Sequence, residues 1–133
     1  MAYIDYKKKF PEAFPTLSPS QIAEIAKVAE CHTYHDGDIL FRAGETEFKF
    51  HVIQKGEIEI IDRSGDEPKV LLTHGPLEFT GDTANLAGRT SNVEAIAKGT
   101  VEVYEICAAE LKTIISERPD LSDTILKAFI ARG

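Results

Sequence analysis

The chain has 133 residues, which fits one domain and is enough to bury a single substantial core. With 15 Lys+Arg against 22 Asp+Glu the formal net charge is -7, which excludes a broad basic stripe for nucleic acid and requires any anion to be held by a local feature. Apolar runs are short and broken by charges, far below the roughly 18 residues that a membrane helix needs.

No apolar segment behind a basic start marks a secretory signal, and Cys31 and Cys107 stand far apart, so a reduced, cytoplasmic protein without nucleic-acid or membrane partners is expected. The first elements are helical. Residues 1–17 mix lysines, aromatics and prolines without a period and read as an irregular arm or short helix packed on the domain. Ser18-Pro19-Ser20-Gln21 then marks a helix start, with Ser18 as N-cap, Pro19 at the first helical position and Gln21 reaching back as in a capping box. Ile22, Ile25, Ala26 and Ala29 make its apolar face.

From about residue 33 to 106 the texture changes to short β-rich runs divided by glycine-containing turns: DILFRAG, FKFHVIQKG, EIEIIDRSG, KVLLTHG, SNVEAIAKG and TVEVYEI. Apolar and charged residues alternate in GEIEIIDR and TVEVYEI, as half-buried antiparallel strands require. Gly37, Gly44, Gly56 and Gly65 are expected at turns between strands. Many short strands without long intervening helices predict a mainly β fold, an antiparallel jelly-roll β-barrel. After residue 107 the helical period returns in two C-terminal helices, one with Leu111, Ile114 and Ile115 and, beyond Pro119, one with Leu121, Ile125, Leu126, Phe129 and Ile130.

Catalytic machinery is not found. There is no nucleophile elbow, Cys-x-x-Cys or P-loop, and Cys107 at the end of an apolar strand reads as a buried structural thiol. Cys31, His32, His35 and Asp36 lie within six residues, but structural zinc needs paired ligands and no second pair follows, so no metal is expected. His51 and His74 do not form the His-x-His plus acid arrangement of metal-binding cupin barrels.

Four stretches, DGDILFRAGE (36–45), FHVIQKGEIEI (50–60), FTGDTANLAGR (79–89) and VEAIAKGTVEVYEI (93–106), make the chain resemble the cyclic-nucleotide-binding domain family, the barrel of the bacterial catabolite activator and of cyclic-nucleotide-dependent kinases and channels. The resemblance covers nearly the whole chain, from the helix at Ser18 through both terminal helices, so residues 1–133 are taken as one such domain: an arm and helix (1–32), a β-barrel (33–106) with its cassette at 79–91, and C-terminal helices (107–133). It implies that residues 79–91 are a phosphate-binding cassette, a tight turn leading into a short helix, whose amides are natural anion donors.

On that resemblance the ligand-binding residues are Gly81, Asp82, Thr83, Ala84, Arg89, Thr90 and Ser91. Gly81 lets the chain approach a ligand, Asp82 stands where the family has a glutamate on the ribose 2′-hydroxyl, and Arg89 takes the place of the arginine that pairs with the cyclic phosphate. Thr90 and Ser91 follow as amide and hydroxyl donors. The ligand implied is cAMP, cGMP or a related small phosphate, with no further cofactor. Three departures stand out: Asp82 is one methylene shorter than glutamate, Thr83 and Asn85 are polar where aliphatic residues are usual, and Arg89 follows Gly88 directly.

The shortened NLAGRTSNVEA form and LSDTILKAFIARG resemble the barrel domains that precede thioredoxin-reductase-like flavoprotein modules. That likeness implies a chain continuing past Gly133 into a reductase. Two readings stay open: a ligand-sensing regulatory domain, or a scaffold that no longer binds nucleotide and serves homodimerisation through the C-terminal helix or docking to the flavoprotein module.

Overall fold

The computed structural model describes residues 2–3, 5–45, 49–81 and 93–132. The strands are β1 (Ala2–Tyr3), β2 (Glu30–Tyr34), β3 (Ile39–Phe41), β4 (Phe50–Asp62), β5 (Lys69–His74), β6 (Phe79–Thr80) and β7 (Val93–Ile106). The helices are α1 (Tyr6–Lys9), α2 (Pro19–Ala26), α3 (Ala108–Glu117) and α4 (Pro119–Arg132), with a 3₁₀ turn at Pro11–Ala13. The strands form one sheet in the order β1-β5-β4-β7-β2, with β3 also on β7 and β6 on β4. All pairs are antiparallel except β1 on β5. Among the described residues the sheet does not close on itself, so the expected jelly roll is present as an open one.

Two expected turns are not turns. The runs on either side of Gly56 belong to one strand, β4, and those on either side of Gly99 to another, β7, and the two strands pair from Phe50↔Ile106 to Asp62↔Val93. Gly56 has φ 86° inside the paired strand, where the register shifts. A left-handed glycine there makes a bulge, which re-aims a strand without ending it. Gly65 does lie in a loop between strands, but it is not among the glycines with positive φ.

The two long strands have an apolar cluster on each side. Phe50, Val52 and Ile106 face a cluster with Phe79 and with Leu17, Ile25, Leu111, Leu121 and Ile125 from the arm and helices. Ile53, Val101 and Val103 face the other way, with Phe41, Leu72 and Ala95 in a cluster built from strands. Each fully buried Phe, Leu or Ile contributes about 1.5–3 kcal/mol of apolar transfer.

The capping box is formed as expected: the Gln21 N–H donates to Ser18 Oγ (3.2 Å) and the Ser18 N–H to Gln21 Oε1 (2.9 Å). Gln21 Nε2 also donates to Thr124 Oγ1 (3.1 Å) and Asp120 O (3.3 Å), tying α2 to α4.

Helix α4 differs from the expected face. Its buried stripe is Leu121, Ile125 and Ala128, at i, i+4, i+7, whereas Leu126 and Phe129 are half-buried and Ile130 is 74% exposed. Cys107 is exposed, not buried, because β7 ends at the inward-facing Ile106 and the next residue swings out as the N-cap of α3.

Candidate ligand site

Of the residues assigned to ligand binding, Gly81 is described. Asp82, Thr83, Ala84, Arg89, Thr90 and Ser91 lie outside the described residues. Gly81 follows β6 directly, is buried and has φ 93°. A Cβ there would stand 2.6 Å from Lys49 O and 3.2 Å from Phe50 Cα. The chain therefore leaves β6 through a turn that only glycine fits, against the backbone that opens β4.

Beside this turn is a polar cluster that motif reading did not identify. His51 pairs with Thr80 on β6 and with Glu105 on β7, and Glu105 pairs with Glu30 on β2. His51 and Glu105 share strand parity with Ile53 and Val103, so they extend the strand-lined cluster with polar groups at its cassette end. Glu105 accepts from Tyr34 Oη (2.8 Å), His51 Nε2 (3.0 Å) and Lys49 Nζ (3.0 Å). The His51 ring N–H, acting against burial and ahead of Lys49 and Tyr34, holds the Glu105 carboxyl far below the usual carboxylate range. Burial, then the bond to Glu105, pushes the Tyr34 hydroxyl well up.

Because Glu105 takes up its proton far below the unfolded-chain value of about 4.3, its stabilisation is complete above that pH and is lost as pH falls toward the folded value. Glu105→Gln is expected to cost about 2–3 kcal/mol at pH 7. Urea unfolding should show a smaller gap between variant and wild type at pH 3; an equal gap would refute the assignment.

A second buried carboxylate fastens the arm. Glu78 takes His74 Nδ1 (3.1 Å), Lys7 Nζ (2.8 Å) and the Gly75 N–H (2.9 Å). Burial raises its pKa, but these donors hold it below the ordinary value. The Leu17 N–H donates to Leu77 O (2.8 Å) in the same turn.

The end of α4 reaches β6. Arg132 Nη1 donates to Phe79 O (3.1 Å) and Nε to Ala13 O (2.8 Å). Its guanidinium lies 4.7 Å from the Phe79 ring centroid and 4.9 Å from that of Phe14. Of the residues weighed as metal ligands, Asp36 Oδ1 accepts from the Gly99 N–H (2.8 Å), and His32 Nε2 lies 3.1 Å from Glu30 Oε2.

The profile named Cyclic nucleotide-binding domain matches residues 31–118, from β2 into the C-cap of α3. The chain belongs to the cyclic nucleotide-binding domain family. A cAMP-dependent protein kinase regulatory subunit from Blastocladiella emersonii is 29% identical to this cyclic nucleotide-binding domain over 115 residues, 80% of this chain and 28% of its own length. A Caenorhabditis elegans cyclic nucleotide-gated channel is 22% identical over 111 residues, 79% of this chain and 15% of its own. The chain thus spans less than a third of either relative. The catabolite activator protein of Thermus thermophilus superposes with a TM-score of 0.75 at 20% identity, over 91% of this chain and 57% of that one. That likeness gives the fold, the open roll with helices at its ends. No helix among the described residues of this cyclic nucleotide-binding domain is long and apolar enough to cross a membrane.

Proposed function

We propose that residues 1–133 form a non-enzymatic regulatory domain that binds cAMP, cGMP or a related small phosphate through the cassette that Gly81 begins. The observation that carries this reading is the Gly81 turn itself: buried, left-handed and pressed onto the Lys49–Phe50 backbone, it stands where the family's cassette starts. Amides of residues 81–84 and 89–91, with Asp82 and Arg89, hold the sugar and phosphate. The name of the kinase regulatory subunit, cAMP-dependent, supports the ligand class.

Output runs through Arg132. Its bonds to Phe79 O and Ala13 O place the end of α4 and the N-terminal turn two residues before Gly81. A ligand bound at the cassette therefore bears on both α4 and the N-terminal turn.

Isothermal titration of the 133-residue protein with cAMP and cGMP at modest salt tests the reading. Micromolar binding is expected with at least one, and no heat with either overturns it.

The exposed Ile130 on α4 and the three cassette departures favour a second reading: a scaffold that dimerises through the last helix or docks a thioredoxin-reductase-like flavoprotein module. Ile130→Glu is expected to change stability by no more than about 0.5 kcal/mol. Light scattering on that folded variant should show loss of a wild-type dimer if the helix is the interface; an unchanged oligomeric state refutes dimerisation through this side chain.

A further inference from the structure

His51 is 2% exposed and its two ring nitrogens are in unlike situations. Nε2 lies 3.0 Å from Glu105 Oε2, and Nδ1 is buried with no hydrogen-bond partner among the described residues. Buried polar atoms without a partner are uncommon and call for an explanation. The ring is well held: Glu105 fixes Nε2, and the Tyr34 ring stands edge-on at 6.3 Å between centroids. An ionised carboxylate only accepts, so in the neutral ring the hydrogen sits on Nε2 and Nδ1 presents a lone pair. Lys49 Nζ at 3.0 Å already balances the Glu105 charge. The orphan atom belongs to the residue directly opposite Thr80, one position before the Gly81 turn.

We propose that His51 Nδ1 is a recognition group for this domain's ligand, accepting a hydrogen bond from a hydroxyl or amino group of the nucleotide, with Glu105 as the positioning residue that fixes the tautomer. The inference rests on the nucleotide-binding reading above and adds a strand-borne contact to those of the cassette. Ligand entry requires the side chains around Nδ1 to shift, and the half-buried Tyr34 ring stands edge-on to the imidazole. A ribose 2′-hydroxyl and a purine amino group offer the same donor chemistry, so the test separates them.

The experiment is titration of wild type and His51→Phe with cAMP and cGMP, their 2′-deoxy forms, and the forms lacking the exocyclic amino group. Wild type is expected to bind one class of analogue about tenfold more weakly than the parent nucleotide. In His51→Phe that ratio should fall to about one, and the class that loses its penalty names the donor. A ratio unchanged in the variant, or equal binding of all analogues by wild type, overturns the inference and leaves nucleotide binding intact. No binding of either parent nucleotide by wild type overturns the nucleotide-binding reading and the inference with it. Should His51→Phe fail to fold, imidazole nitrogen-15 spectra of wild type decide instead. The Nδ1 resonance of His51 should move as for an accepted hydrogen bond on adding the parent nucleotide and not on adding the discriminating analogue, and a resonance that responds alike to both overturns it.

Discussion

Gly56→Ala is expected to destabilise the domain by about 2–5 kcal/mol. Two independent costs combine. At φ 86° a Cβ meets the strain of the left-handed region, about 1–2 kcal/mol. The added carbon would also collide with the backbone carbonyl of Thr100 and press on Val101 Cα at 3.0 Å, and a backbone obstacle cannot rotate aside. Relief requires separating β4 from β7 where both register shifts fall. Denaturant unfolding should show a lowered midpoint with an unchanged slope; a loss under about 0.5 kcal/mol would mean the bulge is not rigid.

Arg89→Ala is expected to weaken binding of whichever cyclic nucleotide the wild type takes by at least about thirty-fold, since truncating one partner of a desolvated charge pair costs about 2–5 kcal/mol. In a protein of net charge -7 no general positive field attracts a phosphate, so on the proposed function the single guanidinium of Arg89 carries an unusual share of the attraction. Titration of the variant beside wild type measures it, with thermal unfolding as the control for folding. Equal affinities would place the phosphate elsewhere and remove Arg89 from the site.

Local chemistry made much of the fold legible. The Ser18-Gln21 capping box acts within four residues, and its sequence form and its geometry coincide. The alternation in GEIEIIDR marks strand faces directly. The glycines were harder, because a left-handed residue in a hairpin and one in a bulge have the same local signature, and whether the chain reverses at Gly56 or Gly99 is decided by the partner strand. The face of α4 was misjudged where Ala128, too small to weigh in a hydrophobic pattern, took the buried stripe from Ile130. The cassette assignment rests on family resemblance, since backbone amides leave no mark in side-chain identity beyond glycine, and of its assigned ligand-binding residues Gly81 alone is among the described ones. The Glu105 cluster had a signal that motif reading passed over. In TVEVYEI, Glu105 keeps parity with Val101 and Val103, and in FHVI, His51 keeps parity with Ile53, so a charge and an imidazole fall on the apolar side of their strands.

On the proposed function, the Arg132 bridge imposes a symmetry on regulation. One guanidinium holds both the N-terminal turn and the strand that leads to Gly81, so on the proposed reading a ligand at the cassette and anything gripping α4 are coupled through Arg132. Linkage then works in both directions: a partner that clasps α4 more firmly when the cassette is filled must tighten the ligand by the same factor.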